Sequence, residues 1–187
     1  PLYSSAASDV YKRQGNTILL KHAPNVLGCA KAIQQIFEES SLPNNCYNNI
    51  IITHDQVSSL IKNKLIKGIS FTGSTKAGRQ IAAQAGQAIK KSVLELGGND
   101  PIIICDDVNI EIAAKGTAWG GLLNAGQVCT SIERVFVMES IADSFTEAVV
   151  EETKKVRLGN PMNGQIDMGP LISDIQLKRT LAKVENA

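Results

Sequence analysis

From residue 15 onward, short apolar runs alternate with segments whose apolar residues recur at helical spacing, and this alternation constrains the fold more than any other feature. Residues 17–20 (TILL), 49–53 (NIIIT), 69–72 (ISFT), 93–96 (VLEL), 101–105 (PIIIC) and 134–138 (RVFVM) read as strands. Residues 25–37, with Val26, Ala30, Ile33, Ile36 and Phe37 on one face, read as a helix; so do 54–62, 75–90, a segment ending at Leu122, and 141–156. Strands separated by helices cannot join as tight hairpins; the chain must cross over, which implies βαβ units and a parallel sheet. Asn25 is a plausible cap for the first helix, Asp55 lies near the start of the second, and Asp106 or Asp107 is expected to cap the helix that ends at Leu122. Gly97–Asp100 breaks the pattern, so a domain boundary is expected there.

A chain of 187 residues suffices for one domain or parts of two. Nineteen Lys and Arg against eighteen Asp and Glu leave a net charge of +1, which gives no reason to expect nucleic acid or a membrane as partner. No apolar run approaches the roughly 20 residues of a membrane helix. Four scattered cysteines without a CxxC suit a reducing compartment, the cytoplasm, and with only His22 and His54 to assist them no metal site is expected. Cys29 lies in a helical pattern and Cys105 ends an apolar strand; both are expected to be inert core residues. The text of residues 4–14, SSAASDVYKRQ, looks like a translated sequencing adaptor, so 1–14 is read as a non-native scar. Residues 176–187 stop within a helical pattern, so the chain is expected to be the middle of a longer protein.

Three stretches carry chemistry. Residues 71–78, FTGSTKAG, take a strand through small residues into a helix, which aims backbone N–H groups and the positive end of the helix dipole at one point. The stretch is neither a Walker loop nor GxGxxG, and taken alone it is more often plain α/β connectivity than a nucleotide site. Glu95 stands inside an apolar strand: either an edge residue facing solvent, or a general base whose pKa its surroundings raise. Cys129, in NAGQVCTS, is either a packing residue or a nucleophile presented by a glycine-containing turn and supported by backbone N–H groups.

Together, GNTILLKHAPN (15–25), ISFTGSTKAG (69–78), LELGGNDPIII (94–104), NAGQVCTSIERVFV (124–137) and MGPLIS (168–173) resemble, in order and spacing, the aldehyde dehydrogenase superfamily. The resemblance implies an α/β fold: part of a parallel-sheet, Rossmann-like NAD(P)-binding domain over 15–97, then the start of an α/β catalytic domain over 98–187. It implies that Cys129 is the nucleophile, forming a thiohemiacetal and then a thioester, and that Glu95 activates the hydrolytic water. Gly126 and Gln127 would shape the turn. Arg134 is expected to anchor that turn through backbone hydrogen bonds.

The resemblance also implies the cofactor contacts: Gly73 and Ser74 at the pyrophosphate, Lys21 near the adenosine ribose, and Gly78, Leu96 and Gly97 beside them. Pro24 stands where many NAD-preferring members carry a glutamate, so NADP is expected to be accepted, with or alongside NAD. KHAPN most resembles the NAD(P)-using succinate-semialdehyde dehydrogenases. A carboxylate-bearing aldehyde wants a cation near its path, and residues 119–123 (WGGLL) hold none, so a plain aliphatic aldehyde is the other reading. Trp119 and Leu123 are tunnel walls or ordinary helix packing. An acylating, coenzyme A-using enzyme fits less well, because such members typically lack the glutamate of ELGG; a non-catalytic nucleotide-binding remnant is a further alternative. The remaining parts of the catalytic apparatus, including an oxyanion-hole asparagine and the arm for dimer or tetramer assembly, are expected outside these residues, so this piece alone is expected to have no turnover.

Overall fold

The computed structural model describes residues 15–186; the adaptor-like segment 1–14 and Ala187 lie outside them. The chain separates into two compact units, one running to Leu96 and one from Gly97. Each is built from parallel strand pairs with helical crossovers.

In the first unit, β1 (Ile18–Lys21) pairs in parallel with β2 (Tyr47–Ile50). Their crossover is a 3-10 turn, Pro24–Val26, running into α1 (Leu27–Glu39). Asn25 lies inside that turn, which has no side-chain cap, so its predicted capping role fails. Strand β2 begins two residues ahead of the predicted 49 because Tyr47 is buried there and stacks on Phe37 of α1, ring centroids 4.6 Å apart. Burial of that ring pushes the Tyr47 phenol up. Residues 51–53 lead instead into α2 (His54–Lys62), which Thr53 and Gln56 close with a capping box.

The second pair is β3 (Gly68–Gly73) with β4 (Lys91–Leu96), joined by α3 (Thr75–Gln87). Helix α3 stops three residues before the predicted 90. The Ile89 N–H bonds the Gly86 carbonyl and the Lys90 N–H bonds the Ala85 carbonyl, the paired bonds of a Schellman ending, with Ile89 at φ 53°. Lys90 then turns its Nζ to the Ile61 and Asn63 carbonyls at the end of α2, satisfying a second helix terminus.

In the second unit, β5 (Asp100–Ile104) pairs in parallel with β6 (Ile132–Val137) across α4 (Ile110–Leu122). Asn109 caps α4 by accepting the Ile112 N–H at 3.0 Å. Neither Asp106 nor Asp107 caps it, since both lie too far upstream to reach the first-turn amides. The core joins Ile104 of β5, Ala114 of α4 and Phe145 of α5 (Ala142–Lys154). A Gly- and Pro-rich loop follows, pinned by a parallel bridge between Leu158 and Met168, and α6 (Asp174–Glu185) completes the unit under the Ser173 cap.

Two cysteine expectations fail. Cys29 and Cys105 are exposed rather than core residues, and Cys46 is half-buried. For Cys105 the reason is strand alternation: Ile104 takes the buried face, so its neighbour faces solvent.

Candidate active site

Helix α4 ends where its backbone turns left-handed. Asn124, Ala125 and Gly126 follow one another at φ 54°, 58° and 72°. Only glycine adopts that conformation freely; for Ala125 it costs about 1–2 kcal/mol. The turn persists because its polar groups bond one another. Asn124 Nδ2 donates to the Gln127 carbonyl at 3.2 Å, and Gln127 Nε2 donates to the Asn124 carbonyl at 2.9 Å. Ser131, 3% exposed, directs its hydroxyl at the Gly120 and Gly121 carbonyls, each at 3.4 Å, so it docks the far side of the turn on the end of α4. Cys129 lies between these two anchors and is exposed. Among the described residues its N–H has no hydrogen-bond partner.

Glycines let the surrounding backbone close on this turn. A Cβ on Gly98 would lie 3.1 Å from the Cys129 carbonyl oxygen, and one on Gly120 would lie 2.5 Å from Ile132 Cδ1. The start of the second unit therefore lies directly against the cysteine backbone. Arg134 does not anchor that turn as expected: its Nε donates to the Asn99 carbonyl at 3.0 Å and its guanidinium lies over the Phe136 ring. It fixes the segment that carries Gly98 instead.

Glu95 is exposed on β4, between half-buried Leu94 and Leu96 on the opposite face. Of its two sequence readings, solvent exposure is the one observed within the first unit. At the end of β3, Gly73 and Ser74 are exposed, and the Ser74 hydroxyl caps α3 by accepting the Ala77 N–H at 3.3 Å. Gly78 is buried, and a Cβ there would come within 2.6 Å of Leu96 Cδ2, so this glycine packs α3 onto β4. Lys21 ends β1 half-buried, its Nζ on the His22 carbonyl at 2.8 Å, and Pro24 is exposed just after it. Lys21 and Gly73 thus both sit at carboxyl ends of parallel strands, where open α/β sheets bind ligands. Gly97 opens the second unit and is exposed.

Residues 13–187 match the profile of the aldehyde dehydrogenase family. The chain belongs to that family. It is 43% identical over 157 residues to the succinate semialdehyde dehydrogenase [NAD(P)+] Sad of Escherichia coli strain K12, covering 84% of this chain and 34% of that protein. It is 36% identical over 171 residues to the betaine aldehyde dehydrogenase of Brucella anthropi, covering 91% of this chain and 35% of the relative. The crystal structure of succinic semialdehyde dehydrogenase from Streptococcus pyogenes, in complex with NADP+, superposes with a TM-score of 0.87 at 35% identity, over 91% of this chain and 38% of that one. The chain therefore spans about a third of the length of these relatives.

For a member of the aldehyde dehydrogenase family, the sequence reading missed several supports of the Cys129 turn. Ser131, Gly98 and Gly120 act through tertiary contact; only the hydroxyl pair after the cysteine hinted at the first. Trp119 is 68% exposed and Leu123 is exposed as well, so neither is buried within the second unit. Two concavities of about 470 and 290 Å³ lie in the first unit, and no predicted site residue lines either. Among the described residues no cluster of His, Cys, Asp and Glu could hold a metal ion, and no helix is long and apolar enough to cross a membrane.

Proposed function

We propose that the protein to which this chain belongs oxidises an aldehyde to a carboxylic acid with NAD(P)+. One observation carries the proposal: an exposed thiol at position 129, on a turn braced at both ends, with its own N–H unbonded. The Cys129 thiolate adds to the aldehyde carbon, and the Cys129 N–H donates to the alkoxide oxygen as it forms. When bound, NAD(P)+ would supply the acceptor for a hydride from that carbon. Cys129 is left as a thioester. Glu95 takes a proton from water, which attacks the thioester carbon; the acid departs and the thiolate returns.

Exposed Gly73 and Ser74, at the start of a 13-residue helix, fit a pyrophosphate, and Lys21 fits an adenosine ribose carrying a 2′-phosphate. Gly78 packs against Leu96 beside that turn, and Gly97 completes the proposed cofactor contacts. Succinate semialdehyde is the favoured substrate, supported by the KHAPN text and by the 43%-identical relative that bears that name. A plain aliphatic aldehyde is the second reading, because residues 119–123 offer no cation. The glutamate at 95 supports hydrolysis over transfer to coenzyme A. A cytoplasmic homo-oligomer, dimer or tetramer, completes the proposal.

The test is an aldehyde panel on the full-length protein with NAD+ and NADP+, following absorbance of the reduced cofactor. Cys129→Ala should abolish turnover. Glu95→Gln should give one burst of reduced cofactor per active site and then stall. Full steady-state activity in Cys129→Ala would sink the proposal.

A further inference from the structure

The geometry points to Gln127 as a positioning residue that clamps the Cys129 turn to the loop ahead of α6. The inference rests on Cys129 as nucleophile. Gln127 Oε1 accepts the Ile172 N–H at 3.0 Å, a bond between residues 45 positions apart. At its other end, Nε2 donates to the Asn124 carbonyl at 2.9 Å. The two partners fix the orientation of the amide, since a carbonyl can only accept and a backbone N–H can only donate. Both ends of one half-buried side chain are thereby used, one inside the turn and one outside it.

The outer partner is itself held. Ile172 precedes Ser173, which caps α6 by accepting the Gln176 N–H at 3.4 Å. Upstream, the Leu158–Met168 bridge and the Arg157–Asp167 pair fix the other end of the loop. Gln127 thus ties the left-handed run at 124–126 to braced backbone, and only Val128 separates it from Cys129. Without the clamp, the turn keeps the Asn124 bond to the Gln127 carbonyl and the Ser131 contacts but loses its tie to the loop ahead of α6. The carbonyl-bearing substrate must meet a thiol fixed to a fraction of an ångström, so a loosened turn lowers the rate without altering any reacting group.

The experiment uses the full-length protein with Gln127→Leu, which removes both side-chain bonds, and the near-isosteric Gln127→Glu, which keeps the acceptor toward Ile172 and loses the donor toward Asn124. Three readouts are taken: kcat and KM, the pH profile of Cys129 alkylation by iodoacetamide without aldehyde or cofactor, and hydrogen exchange at the Ile172 amide. Gln127→Leu should lower kcat on the order of tenfold to a hundredfold with the KM for cofactor unchanged, change the alkylation profile, and speed exchange at Ile172. Gln127→Glu should fall between it and the parent in kcat and keep Ile172 protected. A folded Gln127→Leu protein with kcat and Cys129 alkylation within about twofold of the parent overturns the clamp. If that variant does not fold, the same limit applied to Gln127→Glu decides. Aldehyde oxidation surviving in Cys129→Ala would instead refute the nucleophile reading, and the alkylation comparison would still judge the clamp.

Discussion

Single side chains set the precision of this site. Gly98 is the sharpest case, because the obstacle to any larger residue includes the Cys129 carbonyl, which cannot swing aside as a side chain would. Gly98→Ala should cost about 1–3 kcal/mol and displace the cysteine turn, seen as a lowered denaturant midpoint together with reduced kcat. A Gly98→Ala protein as stable and active as the parent would show that the backbone yields easily. A different residue-scale effect is electrostatic. The Arg157 guanidinium, with two donors on Asp167 at 2.8 and 2.9 Å and the Arg157 N–H at 2.9 Å, holds that carboxyl well below the usual carboxylate range. A depressed folded pKa means that the pair stabilises the loop fully above the ordinary Asp value near pH 4, and that this contribution is lost as pH falls through the depressed value. Carboxyl NMR titration should place Asp167 below other aspartates, and Arg157→Gln should return it upward; an ordinary midpoint in the parent would contradict the pairing.

At the scale of elements, the period of the apolar residues identified all six helices and strands around the crossovers, while the ends moved by one to three residues. The ends moved because they depend on contacts that periodicity does not contain. Tyr47 joins β2 through its stack on Phe37, and α3 stops at Gln87 through the Ala85 and Gly86 carbonyls. That ending places Ile89 left-handed although it is β-branched and 94% exposed. With little packing to lose, Ile89→Gly should stabilise the protein by roughly 1 kcal/mol, the strain relieved less the extra chain entropy of glycine. A lower melting temperature in that variant would mean that Ile89 packs on something not yet seen. Phe145 is the opposite kind of position, buried among Ile104 and Ala114. Phe145→Ala should cost about 3–5 kcal/mol, read from denaturant unfolding.

For the molecule as a whole, the family is established and the chain spans about a third of its relatives' length, so cofactor choice is best tested on the complete protein. Pro24 is exposed just beyond Lys21, with room for a longer side chain. If Pro24 lies at the adenosine ribose as proposed, Pro24→Glu should weaken NADP+ on the order of tenfold while sparing NAD+, because a carboxylate there would repel a 2′-phosphate; unchanged NADP+ affinity by titration would contradict that placement. The α/β class was legible because strand and helix periods are local properties, written in the spacing of residues such as Ile33, Ile36 and Phe37. The candidate nucleophile and carboxylate were legible because Cys129 and Glu95 sit in short distinctive texts. The failed caps at Asn25 and Asp106, the exposed Cys29 and Cys105, and the true partner of Arg134 were not, because each depends on where a side chain meets a distant backbone. The same holds for the bracing of the thiol. Sequence alone marked Cys129 and Glu95 as candidates for chemistry, since side-chain type and the family resemblance of the short texts around them are read without coordinates. Only the tertiary structure decided what holds Cys129 still, since the Gly98 approach, the Ser131 bonds and the reach of Gln127 to Ile172 join residues 10 to 45 positions apart.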